Sequence, residues 1–103
     1  MEESRGIETD LDALSNSVLA AMLMRKYDEA ETICQRLLLE HPEVIDGHVR
    51  LGDLRDAQGR FQEAAKHYSK ALEMMSQQPR WFDQETVEEV TSWRDQVLAK
   101  AKK

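Results

Sequence analysis

Three histidines and one cysteine, His41, His48, His67 and Cys34, would together supply the four ligands of a tetrahedral metal site. Their spacing forms no compact motif. His41 falls at a helix end, His48 at a core position of the next segment and His67 beside Tyr68, while Cys34 lies within an apolar stripe where a thiol behaves as a small hydrophobe. No metal site is expected. The 20 acidic residues offer many carboxylate pairs, but none is framed by the buried, glycine-punctuated loop that raises a carboxyl pKa for acid–base work. The sequence has no phosphate-cradling loop, serine elbow or Cys–His motif. Solvated helix faces account for the carboxylates, so no catalytic residue and no cofactor is expected.

Charge and length narrow the classes further. A chain of 103 residues makes one domain able to bury a core without disulfides or metal. Its formal net charge of −6 removes the counterion-release drive behind nucleic-acid binding. The one basic cluster, Lys100, Lys102 and Lys103, suits the last turn of a helix, where cations complement the dipole. Cys34 alone forms no internal disulfide, and residues 1–10 lack the basic and apolar segments of a signal sequence, which points to the cytoplasm. The longest mostly apolar stretch, residues 18–24, is far short of the roughly 20 residues that cross a bilayer.

Any positioning scaffold is helical, because glycine and proline are sparse and the good helix formers dominate. Residues 1–8 read as a flexible lead-in to a single domain over 9–103, with Thr9 or Asp10 as the first N-cap. Leu11, Leu14, Val18, Ala21 and Met22 then line one face of a helix ending near Met24. A second stripe, Ala30, Ile33, Cys34, Leu37 and Leu38, stops before Pro42, with His41 as the boundary. A third helix over about 45–58 buries Ile45, His48, Leu51, Gly52 and the stem of Arg55, and ends at Gly59. A fourth carries Phe61, Ala64, Ala65, Tyr68, Ala71, Leu72 and Met75 and closes at Ser76-Gln77-Gln78-Pro79. The last has Asp83 as N-cap, Phe82 and Val87 as a hydrophobic staple, and Val87, Val90, Trp93, Val97 and Leu98 as its apolar set. No period of two occurs. The fold class is all-α, with about five helices.

Sliding the chain by 34 residues lays Asp12 on Asp46, Lys26 on Arg60, Tyr27 on Phe61, Glu29 on Glu63, Ala30 on Ala64, Arg36 on Lys70 and Leu38 on Leu72. With Leu51-Gly52, then Gly59-Arg60-Phe61-Gln62-Glu63-Ala64, then Tyr68, Lys70, Ala71 and Leu72, the second unit resembles the tetratricopeptide repeat. Tyr27-Asp28-Glu29-Ala30 and the closing Pro42 carry the same resemblance in the first unit, whose Leu-Gly pair is replaced by Ser17-Val18. The repeats cover 11–44 and 45–78, and a helix over 83–102 caps the exposed apolar end. Gly52, Ala30, Ala64 and Ala71 sit where antiparallel helices cross closely, with Tyr27 and Phe61 as wedges at the turns. Pro79 comes three residues later than the repeat places it. Met22, Met24, Met74 and Met75 are read as core filling rather than an adaptable surface, and Trp81 and Trp93 as packing the capping helix against the fourth.

The resemblance implies a non-catalytic module that binds a peptide or helix of a partner protein in a concave groove lined by the first helix of each pair. The family's inward positions map to Asp12, Ser15, Leu19, Met22 and Leu23 in the first repeat, and to Asp46, Val49, Asp53, Asp56 and Ala57 in the second. Periodicity agrees, since Leu19 and Leu23 lie off the first core stripe while Val49, Asp53 and Asp56 form an off-core line on the third helix. Such a strip favours a ligand with apolar anchors and Lys or Arg. One subgroup of the family grips acidic chaperone tails with inward basic groups. Asn16 and Arg50 are the nearest candidates here, but Ser15, Leu19, Val49 and Asp53 hold the positions that clamp needs, so no carboxylate clamp is expected. Two other functions fit so short an array: a self-associating scaffold forming a homodimer, and a small secretion-type chaperone that wraps an aggregation-prone client.

Overall fold

Helix order follows the apolar periodicity. The computed structural model describes residues 2–102, with side chains from Leu11 onward. Its helices are α1 (Glu2–Leu23), α2 (Tyr27–Glu40), α3 (Asp46–Ala57), α4 (Phe61–Gln77) and α5 (Gln84–Ala101), with a short 3-10 turn at Pro79–Trp81 before α5. Among the described residues there is no strand, and no helix is long and apolar enough to cross a membrane. Successive helices pack as neighbours, and α1 also packs on α3, so the first helices of the two pairs lie side by side. The smallest dimension, 20 Å, is the thickness of two helix layers.

The first helix departs from expectation. It starts at Glu2, so Thr9 and Asp10 lie inside it rather than capping it. Residues 2–10 hold no proline and a single glycine, and nothing in the chain breaks propagation toward the N-terminus. At the other end Asp83 caps α5 as expected, its carboxylate accepting the Thr86 N–H at 2.8 Å.

Both turns within the helix pairs have one geometry. Lys26 N–H donates to the Ala21 carbonyl at 2.8 Å, and Arg60 N–H to the Arg55 carbonyl at 2.8 Å, a six-to-one closure at positions 34 apart. The residue before each donor is left-handed: Gly59 at φ 77° and Arg25 at φ 60°. Glycine takes that conformation freely, whereas Arg25 holds its Cβ against the following carbonyl at a cost of roughly 1 kcal/mol.

The connections between pairs also match, but at a spacing of three more residues. His41 and Gln78 share a backbone conformation, φ −134° with ψ 59° and 62°, and each precedes a proline. Helix α2 has 14 residues and α4 has 17, so the late Pro79 reflects nearly one extra helical turn.

Two apolar clusters form the core. Leu14, Val18 and Ala21 of α1, Ala30, Cys34 and Leu37 of α2, and Leu51 and Leu54 of α3 make the first. Val49 of α3, Ala64, Ala65, Tyr68, Ala71 and Met75 of α4, and Val90 and Val97 of α5 make the second. Helix α3 therefore serves both, which explains why its sequence shows no single stripe. It buries Gly47, Val49 and Leu54 beyond the residues its periodicity predicts. Tyr27 and Phe61 begin α2 and α4 and are partly buried against the clusters, as turn wedges should be.

Helix crossing in the second pair depends on Gly52. A Cβ there would lie 2.5 Å from the Tyr68 ring. The 34-residue correspondence puts Val18 and Cys34 in the places of Gly52 and Tyr68, and both are fully buried in the first cluster. Large against small has become medium against small, so the missing Leu-Gly pair is compensated by the loss of the aromatic ring. The expected methionine and tryptophan packing holds for Met75 and Trp93 but not for Trp81, which is 79% exposed, nor for Met24, which is 62% exposed. Leu98 is also exposed, because Val90 and Val97 already fill the α4 side of α5.

Two stability measurements follow from these contacts. Arg25→Gly is expected to stabilise the fold by about 0.5–1 kcal/mol in urea denaturation, since it relieves the left-handed residue. Val18→Gly and Cys34→Tyr are each expected to destabilise by about 2 kcal/mol or more, one by a void and the other by overpacking. The double variant should recover about 1 kcal/mol of their sum if the two sites share one space.

Candidate functional site

The face formed by α1, α3 and α5 holds most of the predicted contact positions, and Arg50 organises it. Its Nε donates to the Ser15 hydroxyl of α1 at 2.7 Å, and its Nη1 donates to an Asp53 carboxylate oxygen at 2.8 Å. The other Asp53 oxygen accepts the Tyr68 hydroxyl of α4. Burial raises the Tyr68 pKa, and the Asp53 carboxylate adds to the effect by accepting its proton in a hydrogen bond. A chain of polar contacts thus spans α1, α3 and α4. Every member is matched, so the network fixes the spacing of the helices on this face.

Next to it, Ile45, Asp46, Val49 and Arg50 of the α3 side meet Thr86, Val90 and Trp93 of α5 around a cleft of about 150 Å³. The Trp93 ring lies 6.1 Å from the Tyr68 ring, tilted by 50°. At the far end of α3, the Lys100 ammonium sits 2.9 Å from an Asp56 oxygen and 5.4 Å from the centre of the Phe61 ring, tying α5 to both α3 and α4.

Of the predicted inward residues, the structure joins Ser15 to Asp53 through Arg50 and sets Asp46 beside Val49 on the α5 cleft. Ser15 and Val49 are buried, at 5% and 7% exposure, and form wall rather than contact surface. The family's pattern placed Ser15 inward, and periodicity placed Val49 off the core stripe of α3, but neither could show that α3 is enclosed by neighbours on two sides and that Arg50 covers Ser15. Met22 packs partly against the first cluster. Asp12 is exposed and Leu19 half-buried, while Leu23 is 85% exposed at the end of α1 and Ala57 exposed at the end of α3. The acidic line is weaker than its sequence, since Asp53 and Asp56 are paired with Arg50 and Lys100. The α5 contributors Thr86, Val90 and Trp93 were not singled out for this face. The stripe of α5 signalled Val90 and Trp93 but not Thr86, because a capping helix occupies the place of a third inward helix.

On another face, Arg55 reaches from α3 to Glu31 of α2 by two contacts, 2.6 and 3.2 Å. The hydrogen bonds from Arg55 hold the Glu31 carboxyl below its ordinary value of 4.5 against the opposing effect of burial.

Burial pushes the Cys34 thiol up to about 12, leaving it a protonated small hydrophobe. Burial also lowers the pKa of His48 and His67. Among the described residues, no three His, Cys, Asp or Glu side chains gather into a metal-holding group.

A family model described as tetratricopeptide repeat matches residues 21–83, from the end of α1 through α2, α3 and α4 to the cap of α5. No solved structure matches the chain.

Because its folded pKa is depressed, Glu31 contributes stability above pH 4.5 that is lost as pH falls through the folded value. Glu31→Gln should therefore lower the urea midpoint at neutral pH and flatten its fall on acidification. A curve parallel to that of the unaltered protein would show that the pair contributes nothing.

Proposed function

We propose that this chain, which belongs to the tetratricopeptide repeat family, holds an extended or helical segment of another protein against the α1, α3 and α5 face. Repeats of this family in general mediate protein–protein interaction and are not catalytic. The observation that carries the reading is the cleft between α3 and α5, where Ile45 and Trp93 offer apolar surface over the buried Val49 and Val90, beside the carboxylate of Asp46. It is continuous with the α1 side through Arg50 and Ser15.

Shape and charge suggest the kind of segment. Apolar anchors would enter the cleft and cover Leu19, while Lys or Arg would face Asp12 and Asp46. An acidic tail fits poorly. Arg50 is already committed to Ser15 and Asp53, so it cannot grip a terminal carboxylate without giving up those contacts.

A second reading, self-association, is favoured by Leu23 and Met24, adjacent and exposed at 85% and 62% on the α1–α2 turn. Light scattering over a dilution series separates it from the first: a mass that stays monomeric at the highest concentration would exclude it.

Leu19→Glu and Asp46→Lys test the groove without disturbing buried residues, whereas a change at Val49 would disturb the core. Each is expected to lower capture of the protein's main cellular partner by about tenfold at an unchanged thermal midpoint. Undiminished capture by both folded variants would sink the proposal.

A further inference from the structure

The two loops that link helix pairs converge at one end of the molecule around a cavity of about 490 Å³. Glu43, Val44, Ile45 and Asp46 form one wall, and Gln78, Trp81 and Phe82 the other. The 3-10 turn holds Trp81 at its rim, with the Trp81 N–H bonded to the Gln78 carbonyl at 3.0 Å, and leaves the residue 79% exposed. A large aromatic side chain kept in water beside an apolar hollow is a feature that a folding argument alone does not supply.

Charge specifies the occupant. Both charged residues lining the cavity are acidic, and among the described residues neither Glu43 nor Asp46 has a cationic partner. That separates them from Glu31, Asp53, Asp56 and Glu63, each of which faces an arginine or lysine of this chain. Asp46 begins α3, whose positive dipole end opposes a cation, but two carboxylates outweigh the half charge of a helix terminus.

We infer that this cavity is a binding site for the guanidinium group of an arginine in a partner protein, stacked on the Trp81 indole with Glu43 and Asp46 as its countercharges. A guanidinium suits the place better than an ammonium, because it is planar, weakly hydrated and stacks on an aromatic face while its N–H groups reach carboxylates at the edge. The inference extends the groove reading at Asp46, which borders both hollows, and otherwise stands apart from it.

The probe is N-acetyl-arginine methylamide, with the citrulline counterpart as its uncharged isostere, titrated into the whole chain and followed by nitrogen–proton NMR. The expected result is a saturable shift of the Trp81 indole N–H and of the Val44 and Ile45 amides. Citrulline should bind roughly fivefold more weakly, as should arginine once salt screens the carboxylates. Trp81→Ala should abolish the response, and Glu43→Gln and Asp46→Asn should each weaken it about threefold. Trp81 is exposed, so its truncation removes no core contact, and the thermal midpoint checks that the variant folds. No shift, equal shifts from citrulline, or a response undiminished in Trp81→Ala would overturn the inference. So would movement of the same resonances with protein concentration alone, which would make the occupant a second copy. Leu19→Glu keeps the two readings distinct: lost partner capture with the arginine response intact supports both. The converse, capture kept by Leu19→Glu while Trp81 responds, would count against the groove alone.

Discussion

Close crossing of antiparallel helices is the constraint on which the rest of the structure depends, and the two pairs meet it with different side chains. In the second pair Gly52 leaves room for Tyr68, and the same ring then carries the hydroxyl that holds Asp53. In the first pair Val18 and Cys34 share the corresponding space and offer no hydroxyl. The polar chain from Ser15 to Tyr68 therefore belongs to the second crossing, and it reaches back to the first helix only through the length of Arg50. Packing volume and network geometry are set by one pair of residues.

Helix identity and turn position were legible in the sequence because they rest on local chemistry. Proline after His41, glycine at position 59 and aspartate at position 83 each act within a few bonds. Burial on α3 was not legible in the same way. A period of 3.6 residues shows which side of a helix is apolar but not how many neighbours enclose it, so Val49 read as an open position. Trp81 was misplaced for a related reason: a tryptophan near a capping helix fits the core by composition, and only the 3-10 turn decides where it points. The α1 extension to Glu2 lacked any signal, since nothing in that stretch stops a helix.

Net charge was the least informative quantity about local electrostatics. A formal charge of −6 suggests an acidic surface, yet Arg50, Arg55 and Lys100 draw several carboxylates into internal contacts. Among the carboxylates of the two hollows, those of Asp46 and Glu43 stand outside this pairing. The additional three residues of α4 matter here too. At about 1.5 Å per residue they carry its closing loop roughly 4.5 Å beyond a repeat of regular length, so the two loops are stepped where equal repeats would stack level.

Sharing α3 between both clusters has a thermodynamic consequence. In a long array each repeat can fray nearly independently, with stability set by its own contacts and those to its neighbours. Here Leu51 and Leu54 face one cluster while Val49 faces the other, so loss of α1 with α2, or of α4 with α5, strips apolar cover from the same central helix. The intrinsic and interfacial contributions cannot be divided between two units. A molecule built from repeats is consequently expected to melt as though it had none.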